Sequence, residues 1–262
     1  MPKAKPPTTP LPFGHNRAHV ALDLIEMQSR VNSITNWMSE FDALNKDTQF
    51  QHRSSVYTGD GVRLIAVSST PTVMKVHDPD YTIAIPFKGD LETWVNKKHF
   101  VPEVGKHGVF NSKGHRHTEG EAQSCILLSV TEHQIENTGR VMLGEHYRSL
   151  MQLDRPRLVE TQIHKVDFGS VLGQMCSLID QFHGDQTLLR SFNLDDNIAR
   201  LFVMMLAPEQ FIKASENDRD SVGRKVIDHL CDFIVANLDS QITLTTLETL
   251  SGLSSRTLQK EF

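Results

Sequence analysis

The chain has little of what marks several large protein classes. Its 262 residues hold three cysteines, Cys125, Cys176 and Cys231, far apart and without a CxxC pair. An odd, scattered set builds neither a disulfide framework nor a zinc knuckle, so a reducing cytoplasm is the expected compartment. Long apolar runs are missing. The longest, Leu201 to Ala207 (LFVMMLA), falls well short of the roughly 20 residues a bilayer-crossing helix needs. Lys3 and Lys5 have no apolar stretch behind them, so no secretory signal and no membrane partner are expected. A surplus of positive charge is also missing. The net charge is −5 and the pI about 6.2, which leaves no global field to draw the chain to nucleic acid.

What is present is ordinary for a soluble globular protein: 39% hydrophobic and 23% charged residues, in a length that suits one large domain or two modest ones. Five of the 11 prolines crowd into Met1 to Pro12. Proline fixes φ and lacks the N–H of regular pairing, so residues 1–18 are read as a disordered tail.

The most telling segment is the last, Ile242 to Phe262 (ITLTTLETLSGLSSRTLQKEF). Leu244, Leu247 and Leu250 recur at a helical spacing until Gly252 interrupts. Ser254 then suits a helix N-cap, and a second short helix carries Leu258 and Phe262 on its buried face. Its other face shows Ser255, Arg256, Gln259 and Lys260. Two short helices joined by a glycine turn describe a helix-turn-helix, whose second helix fits the DNA major groove. Arginine and glutamine there can read base edges, while lysine and serine hold phosphates. The candidate DNA-binding residues are Ser254, Ser255, Arg256, Thr257, Gln259 and Lys260, over a motif core of Leu247, Leu250, Leu253, Leu258 and Phe262.

The run Ser251-Gly252-Leu253-Ser254, then Arg256-Thr257-Leu258-Gln259 and the closing Phe262, resembles the AraC/XylS family of bacterial transcription regulators. Two features depart from that pattern. Glu248 stands where the family usually has a small alanine, and it is expected to point outward. The family carries two helix-turn-helix subdomains, whereas this chain stops inside the first recognition helix, so it is expected to be a truncated piece. From Ser221 onward four basic residues face five acidic ones. Because phosphate neutralisation supplies most DNA affinity, tight binding by this piece alone is not expected.

Upstream, Leu24, Met27, Val31, Ile34, Met38 and Phe41 alternate at three and four, which predicts one amphipathic helix from Val20 to about Leu44. It would pack on the chain's own body, or less readily form a coiled-coil seam. After Asp47 the period changes. Val62 to Val67, Val73 to His77, Tyr81 to Phe87, Leu91 to Val95, His99 to Val101, Val109 to Asn111 and Cys125 to Val130 read as short strands separated by turn signals. They imply an antiparallel sandwich or barrel. The family resemblance extends here: it implies a cupin-like barrel followed by helices, with IAIPFKGDLETWV similar to a central hairpin. Beyond Thr131 helical faces return, on Val171, Met175, Leu178, Ile179 and Phe182, on Ile198, Leu201, Phe202 and Met205, and on Val226, Leu230, Phe233 and Ile234. The polar segment Ala214 to Asp220 reads as a linker.

One constellation offers rival chemistry. His115-x-His117 followed by Glu121 has the spacing by which cupin enzymes present two histidines and a glutamate to a metal. The flanking glycines of that motif are absent, and NSKGHRHTEGEAQ is loop-like in composition, so no bound metal is expected. No Ser/His/Asp set, phosphate-cradling loop or paired carboxylates are visible, and no enzyme is expected.

The sequence therefore predicts an α+β protein. A disordered tail (1–18) precedes a cupin-like antiparallel β-barrel with helices (19–213), a linker (214–220) and an incomplete helix-turn-helix (221–262). The reading is a DNA-binding transcription regulator, with a metal-dependent cupin-type enzyme as the alternative. Double-stranded operator DNA is the expected partner and a homodimer the expected assembly. A small-molecule effector and RNA polymerase are the further partners the resemblance allows, and no cofactor is expected. An effector would sit inside the barrel, where Tyr81, Phe87, Trp94 and Phe110 are candidate lining.

Overall fold

The computed structural model describes residues 9–35, 37–44, 49–78, 80–163, 165–211 and 224–262. The linker expected at 214–220 and the first eight residues of the expected tail lie outside them.

Two antiparallel sheets organise the body. The seven-stranded sheet runs β1 (His19–Ala21), β3 (His52–Thr58), β4 (Val62–Ser69), β11 (Gln123–Val130), β6 (Tyr81–Lys88), β9 (His107–Asn111) and β12 (Arg157–Glu160). The five-stranded sheet runs β2 (Met38–Ala43), β5 (Thr72–Asp78), β10 (Gly114–Gly120), β7 (Leu91–Val95) and β8 (Lys98–Phe100). Among the described residues no strand pairing joins the two, so in place of the expected barrel there is a pair of open sheets.

Their pairing corrects a second expectation. Ile83 to Val95 is not a hairpin: β6 pairs with β11 and β9, β7 with β10 and β8. The chain crosses from one sheet to the other at Lys88-Gly89-Asp90. Gly89 adopts φ 81, and a Cβ there would meet the Ala122 carbonyl oxygen at 2.3 Å. This crossing therefore needs glycine for both its dihedral and its close approach.

β11 explains how the core divides. Its near-continuous apolar run is buried on both faces, as expected of a central strand covered on two sides. Ile126, Leu128 and Val130 face a layer of helices, where they join Tyr57, Leu64, Ile83, Phe110 and Phe202. Cys125 and Leu127 face the second sheet with Trp37, Ile65, Val76 and Ala84. The helical layer comprises α2 (Glu132–Leu143), α3 (Tyr147–Met151), α4 (Phe168–Gln181), α5 (Gln186–Ser191) and α6 (Leu194–Leu206). Ile198, Leu201, Phe202 and Met205 of α6 are buried as their spacing predicted. A two-residue ribbon, β13 (Gln162–Ile163) with β14 (Val166–Asp167), leads into α4.

The helix expected from Val20 to Leu44 is instead α1 (Leu24–Ile34) followed by β2. Asp23 caps its start by accepting from the Glu26 N–H at 2.8 Å. Thr35 ends it: backbone N–H and hydroxyl both return to the Val31 carbonyl. Phe41 then sits in a strand whose six residues pair with β5. A three-and-four spacing over so few residues does not decide between helix and strand, and an open sheet edge offered the backbone a ladder.

Residues 9–18 are likewise not a tail. Leu11 and Phe13 enter the core at 3% and 0% exposure. The Thr9 hydroxyl donates to the Gln123 carbonyl at 2.9 Å, and Ser124 donates to the Pro10 carbonyl at 2.7 Å. Proline removes donors here but leaves acceptors, which side chains fill.

Apart from Tyr57, the buried positions of β3 and β10 are polar or small, a pattern that does not read as a strand in the sequence. Ser54 and Ser55 are 4% and 5% exposed, and Arg116 and Thr118 are buried on β10. The segment around His115, loop-like in composition, is the middle strand of its sheet. Among the described residues no helix is long and apolar enough to cross a membrane.

Candidate nucleic-acid interface

The C-terminal unit forms as its residues dictate. α7 (Arg224–Ala236) precedes α8 (Leu244–Ser251) and α9 (Ser255–Glu261). Thr243 caps α8 through the Thr246 N–H at 3.1 Å. Gly252 closes it in the left-handed region (φ 68), its N–H on the Glu248 carbonyl at 2.8 Å. Ser254 then caps α9 by accepting from the Thr257 N–H at 3.3 Å. These two short helices and their glycine turn are the helix-turn-helix the sequence predicted.

α9 is anchored by Leu258, 2% exposed, while Arg256, Gln259 and Lys260 lie exposed on its outer side. Ser255 and Thr257 are half-buried and Ser254 is exposed. The Thr257 and Ser254 hydroxyls stand 2.9 Å apart. The motif core differs in part from expectation. Leu247 and Leu253 are half-buried, but Leu250 and Phe262 are 47% and 58% exposed. Leu230 of α7 is also buried, at 1% exposure.

Glu248 is the larger correction. Expected to point outward, it is 4% exposed and turned inward. One carboxylate oxygen accepts from the Ser255 N–H at the start of α9, the other from Arg200 on α6. Arg200 also donates from Nε to Asp196 at 2.7 Å and from Nη2 to the Thr245 hydroxyl at 2.7 Å. The Thr245 hydroxyl in turn donates to Asp196. Burial works against the charge of Arg200, but the hydrogen bonds it donates to its two carboxylate partners outweigh this and hold its pKa above the ordinary value. Asp196 and Arg200 were legible as an i, i+4 pair on one helix. Nothing in the sequence told that their partner lay 48 residues on.

A second feature lies between the sheets, a cavity of about 70 Å³ lined by Met27, Trp37, His52, Ile65, Arg116 and Leu127 among others. None of Tyr81, Phe87, Trp94 or Phe110 lines it. Tyr81 and Phe110 face the helical layer, Phe87 is 40% exposed and Trp94 lies on the outer face of the five-stranded sheet. Aromatic character does not place a side chain in the cavity; the period of two within each strand decides which face it meets. Arg116 donates to the Thr82 hydroxyl at 2.8 Å, its guanidinium 5.2 Å from the centre of the Trp37 ring. Both nitrogens of His52, the Trp37 indole N–H and the Gln123 side-chain oxygen are buried without a hydrogen-bond partner. Buried polar groups are normally satisfied, so a cavity that gathers several such atoms is suited to an occupant that carries a hydrogen-bonding group. Burial, helped by His19, pushes the His52 pKa down to about 4, so its ring is neutral at pH 7.

His115 and His117 share the outer face of β10, but Glu121 lies exposed beyond the strand end. The His115 ring packs 4.5 Å from that of His77, and His117 Nε2 meets Glu119 at 2.8 Å. Among the described residues no three His, Cys, Asp or Glu side chains converge to hold a metal. The donor set of a metal-dependent cupin is thus not assembled from these residues.

No family model matches the chain, and no curated protein sequence matches it. Among solved structures it is similar to CuxR, an AraC-like transcriptional activator, at 12% identity and a TM-score of 0.51, over 94% of this chain and 88% of that one. At that identity the likeness shows a shared fold. A cupin-like protein from Thermotoga maritima matches 36% of this chain at 15% identity and a TM-score of 0.26, too low to carry weight.

Proposed function

We propose that the chain comprises the sensing body and a helix-turn-helix of a DNA-binding transcription regulator of the AraC/XylS type. The observation that carries this is α9 itself, with Leu258 buried beneath it and Arg256, Gln259 and Lys260 exposed on one polar face. A guanidinium in the first turn of such a helix matches O6 and N7 of guanine, and an ammonium one turn on suits a phosphate. The fold shared with CuxR supports the reading. Double-stranded operator DNA is the main partner, with a second copy of the chain and RNA polymerase completing the assembly. No catalytic role is assigned.

The cavity between the sheets is the effector site in this reading. Its apolar wall and its neutral imidazole, indole N–H and guanidinium suit a compact, largely apolar molecule with one hydrogen-bonding or anionic end.

Selection from randomised duplexes tests the regulator reading. It is best run near 50 mM salt, because counterion release makes DNA affinity fall steeply as salt rises. Wild-type protein should enrich a short motif, and Arg256→Ala should lose preference at one base pair, at about 1–3 kcal/mol. Because the charge balance from Ser221 onward does not favour tight DNA binding, weak enrichment by the wild type accords with the reading, whereas a motif unchanged by Arg256→Ala would overturn it.

A further inference from the structure

The cluster of Asp196, Arg200, Thr245 and Glu248 does more than fill space between α6 and α8. Glu248 is bound twice. One oxygen accepts from the first backbone N–H of α9, at Ser255, and the other from Arg200 on α6. Arg200 is held by Asp196 one turn back on its own helix, and Thr245 bridges the two by accepting from Arg200 and donating to Asp196. Arg200, Asp196 and Glu248 are 7%, 6% and 4% exposed, so water does not compete for these bonds. α6 in turn belongs to the body, with Leu201 and Phe202 wholly buried against it.

We propose that Glu248 is a positioning residue that ties the orientation of α9 to α6, so that the body sets the angle at which the outer face of α9 is presented. The connection is short and made of charged, directional hydrogen bonds, which transmit a displacement where a slippery apolar contact would absorb it. α6 also reaches the seven-stranded sheet, because Asp195 accepts from Tyr57 on β3. β3 contributes His52 and Ser54 to the cavity wall. A chain of packed elements thus runs from the cavity through β3 and α6 to Glu248 and the start of α9. In the connected state Arg256, Gln259 and Lys260 remain exposed, so the device aims α9 rather than covering it. Its consequence for DNA rests on the regulator reading; the coupling itself does not.

Amide hydrogen exchange on the whole chain tests it without DNA. Arg200→Gln alters only α6, yet it should speed exchange of the Ser255 to Leu258 amides about tenfold, as loss of a charge-assisted bond implies. Glu248→Gln should do the same. The double variant should be no faster than either single one, because residues acting as one unit are not additive. Should Arg200→Gln fail to fold, Thr245→Val removes only the bridging hydroxyl and should still give a several-fold effect at the same amides. Exchange at Ser255 to Leu258 unchanged in Arg200→Gln or Thr245→Val but faster in Glu248→Gln would make Glu248 a local helix cap, and the coupling would be rejected. Additive effects in the double variant would reject it too.

Discussion

Tyr57 on β3 donates its hydroxyl to Asp195 on α6 at 2.6 Å, and the next residue, Asp196, faces the other way into the helix-turn-helix. Two consecutive carboxylates thus fasten one helix to the sheet and to the C-terminal unit. Asp195 also accepts from the Asp60 N–H at 3.0 Å. Burial, with the hydrogen bond to Asp195 beside it, holds the Tyr57 pKa above its ordinary value, so it stays a donor. Tyr57→Phe should lower stability by about 1.5–3 kcal/mol, the usual contribution of a hydrogen bond to a charged group. Urea unfolding followed by fluorescence measures it, and a change under 0.5 kcal/mol, the scale of surface substitutions, would remove the bond from any structural role.

His52 makes stability depend on pH. Its pKa is lowered to about 4 in the fold and is ordinary when unfolded, so between the two values the unfolded chain binds the extra proton. Stability from this group is therefore complete above about pH 6.5 and declines as pH falls toward 4, by about 3 kcal/mol in all. His52→Gln should flatten the slope of unfolding free energy between pH 6.5 and 4. An unchanged slope would show that other groups carry it.

Within α9 the buried and exposed residues should behave differently. Leu258→Ala should cost about 2–5 kcal/mol and melt the C-terminal unit, read as lost exchange protection in α8 and α9. Lys260→Ala should leave the fold intact, weaken all duplexes alike and reduce the salt dependence by about one ion. Equal effects from both would mean that α9 is turned the other way.

Metal binding offers a separate check on the alternative, enzymatic reading. His117 is engaged with Glu119 rather than with Glu121. Protein purified without added metal should carry iron, manganese or zinc well below one equivalent. A stoichiometric ion lost on His117→Ala would instead favour the metal-dependent cupin.

The parts that could be read from residues alone were those whose cause is local. Gly252 tolerates φ > 0, Ser254 accepts from free N–H groups, and Leu258 lies on the apolar side of a short helix, each for reasons contained within a few neighbours. The apolar runs of β4, β6, β7 and β11 and the buried stripe of α6 were legible in the same way. Polar strands were not. β3 and β10 bury serine, threonine and arginine, whose patterns match loops until a partner strand is known. The same ignorance of partners misassigned Met38 and Phe41 to a helix and Ile83 to Val95 to a hairpin.

Sequence by itself determined the local alphabet of this protein: which segments can be helices, which can be strands, and where a glycine or a cap must stand. Tertiary structure alone decided the inward turn of Glu248, the anchoring of Leu11 and Phe13, and the gathering of Trp37, His52 and Gln123 around one cavity. A backbone preference is set by nearest neighbours. Burial of a charge or an imidazole depends on partners tens of residues away, and Glu248 becomes a buried acceptor only where Arg200 arrives to meet it.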